Sequence, residues 1–326
     1  MNRTKNLISI VVPVYNEEDN VAICYSAVKS ELDKITDRYD YEFVFTDNCS
    51  TDKTFQLLAE IAEKDPRVKV ARFSKNFGYQ KSIFTGYCLA AGAAAIEMDA
   101  DLQDPPQLIH EFIGQWEKGF QVVFGIRRSR QESWWKAKIR KVFYRWINFL
   151  SSEDLPLNAG DFRLVDRVIL DQLRQLYDAT PYLRGTIATL GFRQIGIPYD
   201  RAPRIRGKGK FSIPQLFALA LDGILNHSVV PLRVATFTGF AFSGGLLFYF
   251  LVLSILTVFF DVPWPKGFAT LTILILISIS LNALFLGIIG EYLGRIYKQI
   301  KAQALVVIDQ TLNLDKQKTR SQIPKP

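Results

Sequence analysis

Histidine and cysteine are scarce in this chain. Two histidines, His110 and His227, stand far apart among 326 residues. That argues against a multi-histidine zinc centre and against Ser-His or Cys-His nucleophile machinery. Three cysteines, Cys24, Cys49 and Cys88, are too few and too scattered for a disulfide framework, and they suit a reducing compartment. Acid–base or metal chemistry therefore has to rest on carboxylates. Internal repeats and low-complexity tracts are also missing. At 48% hydrophobic and 22% charged the chain is not a disordered acidic one. No secretory signal is visible: the first apolar run, 7–14, is short, contains Pro13 and reads as a strand.

Charge is absent from two long stretches near the end. Residues 234–260 and 267–290 hold no Asp, Glu, Lys or Arg, and each is long enough as a helix to cross a hydrocarbon core of about 30 Å. Core helices seldom run so far without a polar face. The connection, Asp261-Val-Pro-Trp-Pro-Lys266, is short enough to force an antiparallel hairpin, and Trp264 suits a headgroup position. Arg233 precedes the first run, and Arg295, Lys298 and Lys301 follow the second, against Lys266 in the loop. The positive-inside rule then puts both chain ends in the cytoplasm. The expected organisation is a cytoplasmic domain over 1–210, a juxtamembrane amphipathic helix over 211–231, two spans within 232–292, and a cytoplasmic tail over 293–326, expected to be loose after Ala304.

The net charge of +8 is local. Residues 127–145 carry eight Lys/Arg against Glu132, and 201–210 carry five with no acid; the remainder is net acidic. Within 131–150, Trp135, Ile139, Val142, Trp146 and Phe149 recur at steps of three and four, with Lys and Arg on other faces. That is the composition of a helix lying in a membrane interface. Beside two spans it points to lipid and not to nucleic acid.

Residues 8–14, 41–46, 68–73, 94–98 and 122–126 read as strands. Helical stretches separate them, the second capped by Ser50 or Thr51. The alternation implies βαβ units and a largely parallel sheet, whose ligands sit at the carboxyl ends of its strands. Polar residues gather there: Asn16-Glu17, Asp47-Asn48, Asp99 with Asp101, and Arg127-Arg128. Two aspartates two apart in extended backbone face the same way. A hard cation such as Mg²⁺ needs one or two carboxylates plus substrate phosphate oxygens. The loop Arg201, Arg204, Arg206, Lys208 and Lys210, with Gly207 and Gly209 between, suits a clamp on anionic groups.

These motifs resemble the family-2 glycosyltransferases of the GT-A fold, and among them the polyisoprenyl-phosphate glycosyltransferases, the group of bactoprenol glucosyltransferases and dolichol-phosphate mannose synthase. The carriers are Val12-Pro13-Val14-Tyr15-Asn16-Glu17, Asp47-Asn48-Cys49-Ser50-Thr51-Asp52, Lys75-Asn76-Phe77-Gly78, Met98-Asp99-Ala100-Asp101-Leu102-Gln103-Asp104-Pro105-Pro106, Gly125-Ile126-Arg127-Arg128-Ser129-Arg130, Gly160-Asp161-Phe162-Arg163-Leu164 and Arg201-x-x-Arg204-x-x-Gly207. The resemblance implies inverting transfer of a sugar, glucose from UDP-glucose, to polyprenyl (undecaprenyl) phosphate in the bilayer. It implies that Pro13, Tyr15, Asn16, Glu17, Asp47 and Asn76 hold the nucleotide sugar. Asp99, Asp101 and Gln103 would hold Mg²⁺ or Mn²⁺ on the diphosphate. Arg127, Arg204, Lys208 and Lys210 would take the acceptor phosphate. Asp161, Asp101 and Arg201 would be catalytic. A GDP-mannose or UDP-amino-arabinose type donor keeps the same chemistry, and oligomerisation stays open.

Three positions depart from the pattern. Asn48-Cys49 stands where relatives often have Asp-Gly, and Gly209 where they have Ser. Asp161 occupies the position of a catalytic carboxylate, yet an acceptor phosphomonoester is already largely a dianion at neutral pH and needs little help from a base. A processive polysaccharide synthase would carry Gln-x-x-Arg-Trp; here Val142 precedes Arg145-Trp146, and two spans are too few for a polymer channel. A non-enzymatic scaffold would be free to lose the metal acids or Asp161, and all are present.

Overall fold

The computed structural model describes residues 5–128, 159–176, 178, 181–202, 230–260, 267–301, 304–315 and 322–324. The interfacial helix expected over 131–150, most of the juxtamembrane helix, the loop 261–266, and Arg204, Lys208 and Lys210 lie outside them. The described residues fall into two units.

The first unit is an α/β domain. Its elements run β1 Asn6–Val14, α1 Val21–Leu32, β2 Tyr39–Asp47, α2 Thr54–Lys64, β3 Val68–Phe73, α3 Tyr79–Leu89, β4 Ala94–Glu97, α4 Leu108–Glu117, β5 Val122–Arg127, β6 Ala159–Asp166, α5 Arg167–Gln175, α6 Leu183–Thr189, β7 Gln194–Tyr199 and, far along the chain, β8 Ile308–Leu312. Eight strands form one sheet in the order β7-β5-β6-β4-β1-β2-β3-β8. The expected strands and helices are present, and the sheet is of the mixed GT-A type. β1 pairs in parallel with both β2 and β4, while β6 runs antiparallel between β4 and β5.

Alternation along β1 sorts the core into two layers, because successive side chains leave opposite faces. Ile8, Ile10 and Val12 join α1, α2 and α4 on one face. Val11, Val44 and Ala95 meet α3, α5 and α6 on the other. A strand buried on both faces reads as the near-continuous apolar run seen at 8–14. Gly86 lets α3 lie close on β1: a Cβ there would stand 2.3 Å from Val11 Cγ1. The Ser82 hydroxyl donates to Thr46 Oγ1 at 2.9 Å in the same buried seam.

Two local expectations are corrected. The side chain that meets the start of α2 is Asp52, which accepts from the Thr54 amide at 3.0 Å, not Ser50 or Thr51; both of those turn toward the β1–α1 loop, as described below. Among the described residues of the tail, 304–315 are not loose. β8 adds antiparallel to β3, Leu305 and Val306 are buried, and Asn313 Nδ2 donates to the carbonyls of Ala62 and Val68 at 2.8 and 2.9 Å. The short polar, Lys-rich sequence hides this because an edge strand needs only backbone partners and a few apolar contacts.

The second unit holds α7 Val230–Phe260 and α8 Phe268–Ile300. The apolar windows Val234–Phe260 and Thr270–Tyr297 have mean hydropathy 2.1 and 2.5, long and apolar enough to cross a membrane. Gly239 of α7 faces Phe285 of α8, where a Cβ would meet the ring at 3.4 Å. Large apolar side chains such as Phe237, Phe248, Phe259 and Leu286 are exposed, a surface suited to lipid and not to water.

Candidate active site at the strand-end rim

Four strands deliver the site. The parallel strands β1, β2 and β4 end at one rim, and the antiparallel β6 begins there. The β4–β6 ladder ends with Glu97 paired to Arg163; Asp99 lies two residues past the end of β4 and Asp161 two residues before Arg163, close enough for their charges to act on one another. Period-two alternation puts Glu97, Asp99, Asp161 and Arg163 on the face covered by α3 and α6. The antiparallel reversal explains how a residue some sixty positions away in the chain reaches the Asp99 rim.

Strain collects in the same loops. Asn16, Cys49 and Leu102, after β1, β2 and β4, have φ of 53°, 61° and 53°, a region costly for a side chain such as Leu. The left-handed backbone of Cys49 is the conformation that glycine adopts without cost.

On the β1–β2 side, the Asn16 amide donates to Ser50 Oγ at 3.0 Å and its side chain accepts from the Thr51 amide at 2.8 Å. The Glu17 amide donates to Thr54 Oγ1 at 2.8 Å. These bonds join the two loops. Pro13 is buried and Tyr15 is exposed beside it. Asp47 is fully buried. Its Oδ1 accepts from the Ser50 amide at 3.0 Å, whereas Oδ2 has no hydrogen-bond partner and lies 3.6 Å from Arg72 Nε. Burial raises its carboxyl above the ordinary value despite the Ser50 bond and the Arg72 charge. A buried acceptor without a donor is costly unless a ligand completes it. Asn48 is occupied otherwise, accepting from the Phe77 amide at 2.8 Å. Asn76 is exposed and accepts from the Gly78 amide at 2.9 Å, closing the turn before α3.

After β4 the acids concentrate. Asp101 and Asp104 are buried, and Asp99 is partly so. Burial, then the charges of Asp101, Asp104 and Asp161, push the Asp99 carboxyl up to about 6, against a lowering hydrogen bond from Tyr79. Arg201 Nη2 stands 4.0 Å from Asp99 and its Nε 3.5 Å from Asp104. Arg127 donates from Nε to Tyr199 Oη at 3.2 Å and stands 3.5 Å from Asp104; Tyr199 donates to Asp104 in turn. Gln103 Nε2 donates to the Ala202 carbonyl at 3.3 Å and its own carbonyl accepts from the Ala202 amide at 2.9 Å. The cationic segment is thus tied at its start to the acidic loop.

Asp161 meets Arg184, a residue the sequence motifs do not single out. Nε and Nη2 of Arg184 donate to Oδ1 and Oδ2 at 2.9 and 2.7 Å. Burial works to raise the Asp161 carboxyl, but the charges of Arg184, Arg163 and Arg127 and the fork outweigh it and hold it down at about 2. Glu97 is the opposite case. It is fully buried with Oε2 unpartnered, and burial with the charges of Asp99 and Asp161 keeps it far above the carboxylate range. Tyr79 links the acids, donating to Asp99 Oδ1 at 2.7 Å and lying 3.4 Å from Glu97 Oε1. Tyr79, Glu97 and Arg184 carry no motif signature; only the fold gathers them.

The donor set fits a hard divalent cation that takes its remaining ligands from phosphate oxygens. Like-charge repulsion already loads Asp99, and among the described residues no group of three or more His, Cys, Asp or Glu is arranged to hold a metal by itself. Two carboxylates plus a diphosphate is the arrangement magnesium-type ions accept.

The sequence model for glycosyl transferase family 2 matches residues 9–174. An uncharacterized glycosyltransferase of Synechocystis is 38% identical over 94% of this chain and 96% of its own length. A prophage-derived bactoprenol glucosyl transferase of Shigella flexneri is 33% identical over 92% of this chain and 97% of its own. Among solved structures, glucosyl-3-phosphoglycerate synthase of Mycobacterium tuberculosis, with Mn²⁺, UDP and glucosyl-3-phosphoglycerate, is similar at 19% identity and a TM-score of 0.47, over 68% of this chain and 78% of that one.

Proposed function

Because the chain belongs to glycosyltransferase family 2, we propose that it transfers glucose from UDP-glucose to a polyprenyl phosphate, with inversion at the anomeric carbon. The observation that carries this reading is a rim on which an acidic cluster adjoins a cluster of guanidinium groups, with Arg127 in contact with both. Asp99, Asp101 and Asp104 collect at the end of β4, and the guanidinium groups of Arg127, Arg163 and Arg184 act together on Asp161 at the start of β6. A cation-bridged diphosphate suits the first group and a phosphomonoester suits the second. The relatives named bactoprenol glucosyl transferase favour glucose and an undecaprenyl acceptor.

Each residue then has a task. Asp47 offers its unpartnered oxygen to a base N–H, with Pro13, Tyr15, Asn16, Glu17 and Asn76 around the nucleotide sugar. Asp99, Asp101 and Gln103 would hold Mg²⁺ or Mn²⁺, whose charge would stabilise the departing nucleoside diphosphate. Arg201, paired with Asp99 and Asp104, keeps that acidic loop in place and offers charge to the phosphates. Arg127, with Arg204, Lys208 and Lys210, offsets the repulsion between a dianionic acceptor and an anionic donor. Proton abstraction is not required of Asp161, since the phosphomonoester arrives ionised. Positioning supplies most of the catalysis.

The lipid acceptor requires the domain to work at a bilayer. The two apolar helices lie between β7 and β8 of one sheet. If each crosses once, the chain returns to the side it left. With Arg233, Arg295, Lys298 and Lys301 flanking the spans, that side is the cytoplasm.

The test uses purified protein, undecaprenyl phosphate and Mg²⁺ or Mn²⁺, with radiolabelled UDP-glucose, UDP-galactose and GDP-mannose in separate reactions. Label entering the organic phase from UDP-glucose, and lost with EDTA or Asp101→Ala, is expected. Label only from another donor overturns the sugar and keeps the mechanism. Protein that binds UDP and metal but transfers no label overturns the proposed function.

A further inference from the structure

Arg184 lies at the first turn of α6, anchored by Leu183 and Ile187, which are buried in the layer beneath the sheet. Its side chain is 37% exposed, while that of Asp161 is 11% exposed. The guanidinium is therefore pinned on its inner edge and wet on its outer edge. The contact is side-on, through Nε and Nη2. A guanidinium bound in this way keeps both Nη1 hydrogens and one on Nη2 for another acceptor, in a plane fixed by the carboxylate.

The surrounding charge favours an anion at that outer edge. Three guanidinium groups act on one carboxylate. Arg163 spends Nη2 on the Gly160 carbonyl at 2.9 Å and is buried, and Arg127 is engaged by Tyr199 and Asp104. Arg127 and Arg184 are both about one-third exposed, and Arg184 is the member whose plane is fixed by a two-bond fork on Asp161 itself. Its partner Asp161 is near enough to Asp99 for the two charges to act on one another, so an anion on Arg184 would sit beside the position of the donor diphosphate, as in-line attack demands.

We propose that Arg184 is a ligand of the acceptor phosphomonoester, and that Asp161 is its positioning residue. The inference rests on the polyprenyl-phosphate reading above and assigns the acceptor's anionic head to a residue outside the cationic loop. It also gives Asp161 a task without proton transfer. A locked guanidinium cannot swing across to the acids at Asp99 and Asp104.

The experiment measures equilibrium binding of farnesyl phosphate and of farnesol to the full-length protein in detergent micelles, by calorimetry. UDP with Mn²⁺ is titrated separately. In wild type the phosphate is expected to bind tighter than the alcohol. Arg184→Lys, which keeps the charge and loses the fork, is expected to cut that preference by roughly tenfold, with UDP affinity within about twofold of wild type. Arg184→Gln goes further in the same direction. Asp161→Asn matches Arg184→Lys, and the double variant is no worse than either. A preference that survives Arg184→Lys overturns this inference alone, as does an equal loss of UDP affinity, which marks a general lesion. A wild-type protein that does not distinguish phosphate from alcohol overturns the acceptor reading and this inference together.

Discussion

Tyr79 and Asp99 meet across the rim, the phenol Oη donating to Oδ1 at 2.7 Å with Glu97 Oε1 3.4 Å away. Tyr79 opens α3, and Asp99 follows β4. One hydrogen bond therefore orients a proposed metal carboxylate from a different element. Removing it while keeping the ring tests its worth. With UDP present, Tyr79→Phe should weaken Mn²⁺ binding roughly tenfold, the lower range seen when outer partners of metal ligands are lost. An electron paramagnetic resonance titration of Mn²⁺ reads this directly. Unchanged Mn²⁺ affinity would mean that the phenol does not set the Asp99 orientation.

The pH profile separates two accounts of Asp161. Held at about 2 by Arg184 and its cationic neighbours, this carboxylate is ionised throughout the working range and a poor base. The acid limb of kcat/KM should then follow the second ionisation of the acceptor phosphate, near about 6. Asp99 titrates in the same region in the apoprotein, so the profile is taken at saturating metal, which keeps that carboxylate ionised. The sign is definite: activity falls as pH drops through the limb. A phosphonate acceptor with a higher second ionisation moves the limb upward, and Asp161→Asn lowers activity without moving it. A limb indifferent to the acceptor and abolished by Asp161→Asn would restore the carboxylate as base.

Much of the architecture was legible because its signals are local. The β1 run, the strand-end acids and the two uncharged stretches announce themselves through periodicity and composition. The Asp161 partner was not legible. Arg184 is contributed by a helix of seven residues, Leu183–Thr189, and becomes significant only because β6 reverses direction and α6 lies over its start. Glu97 reads as one more residue of an apolar strand; the upward push on its carboxyl comes from burial among other acids, which sequence spacing does not encode. Nor did the residue chemistry of 308–312 separate an edge strand from a polar tail.

The buried, unpartnered Oδ2 of Asp47 yields a prediction about the donor. An amide at this position would turn an acceptor, or a donor group, toward the base N–H without charge and in either orientation. Asp47→Asn should weaken UDP binding by about ten- to a hundredfold, the cost of losing a charged hydrogen bond in a buried site. Binding of the metal-free nucleotide by calorimetry isolates this contact from the diphosphate. Retained UDP affinity in a variant with a native melting profile would move the base away from Asp47.

After the two apolar helices the chain rejoins the α/β domain. Leu305 is 1% exposed and Val306 6%. The Val307 carbonyl accepts from the Ser74 amide at 2.9 Å, and β8 then pairs along β3. Residue 305 therefore belongs thermodynamically to a domain whose other strands end more than a hundred residues earlier. Leu305→Ala should then destabilise that domain by about 2–5 kcal/mol, the range for emptying a leucine site in a packed core. Val307→Ala, on an exposed side chain, should change little. Urea unfolding of the full-length protein in micelles, followed by protease sensitivity within residues 5–128, measures both. Equal and negligible effects of the two substitutions would return this segment to a loose tail.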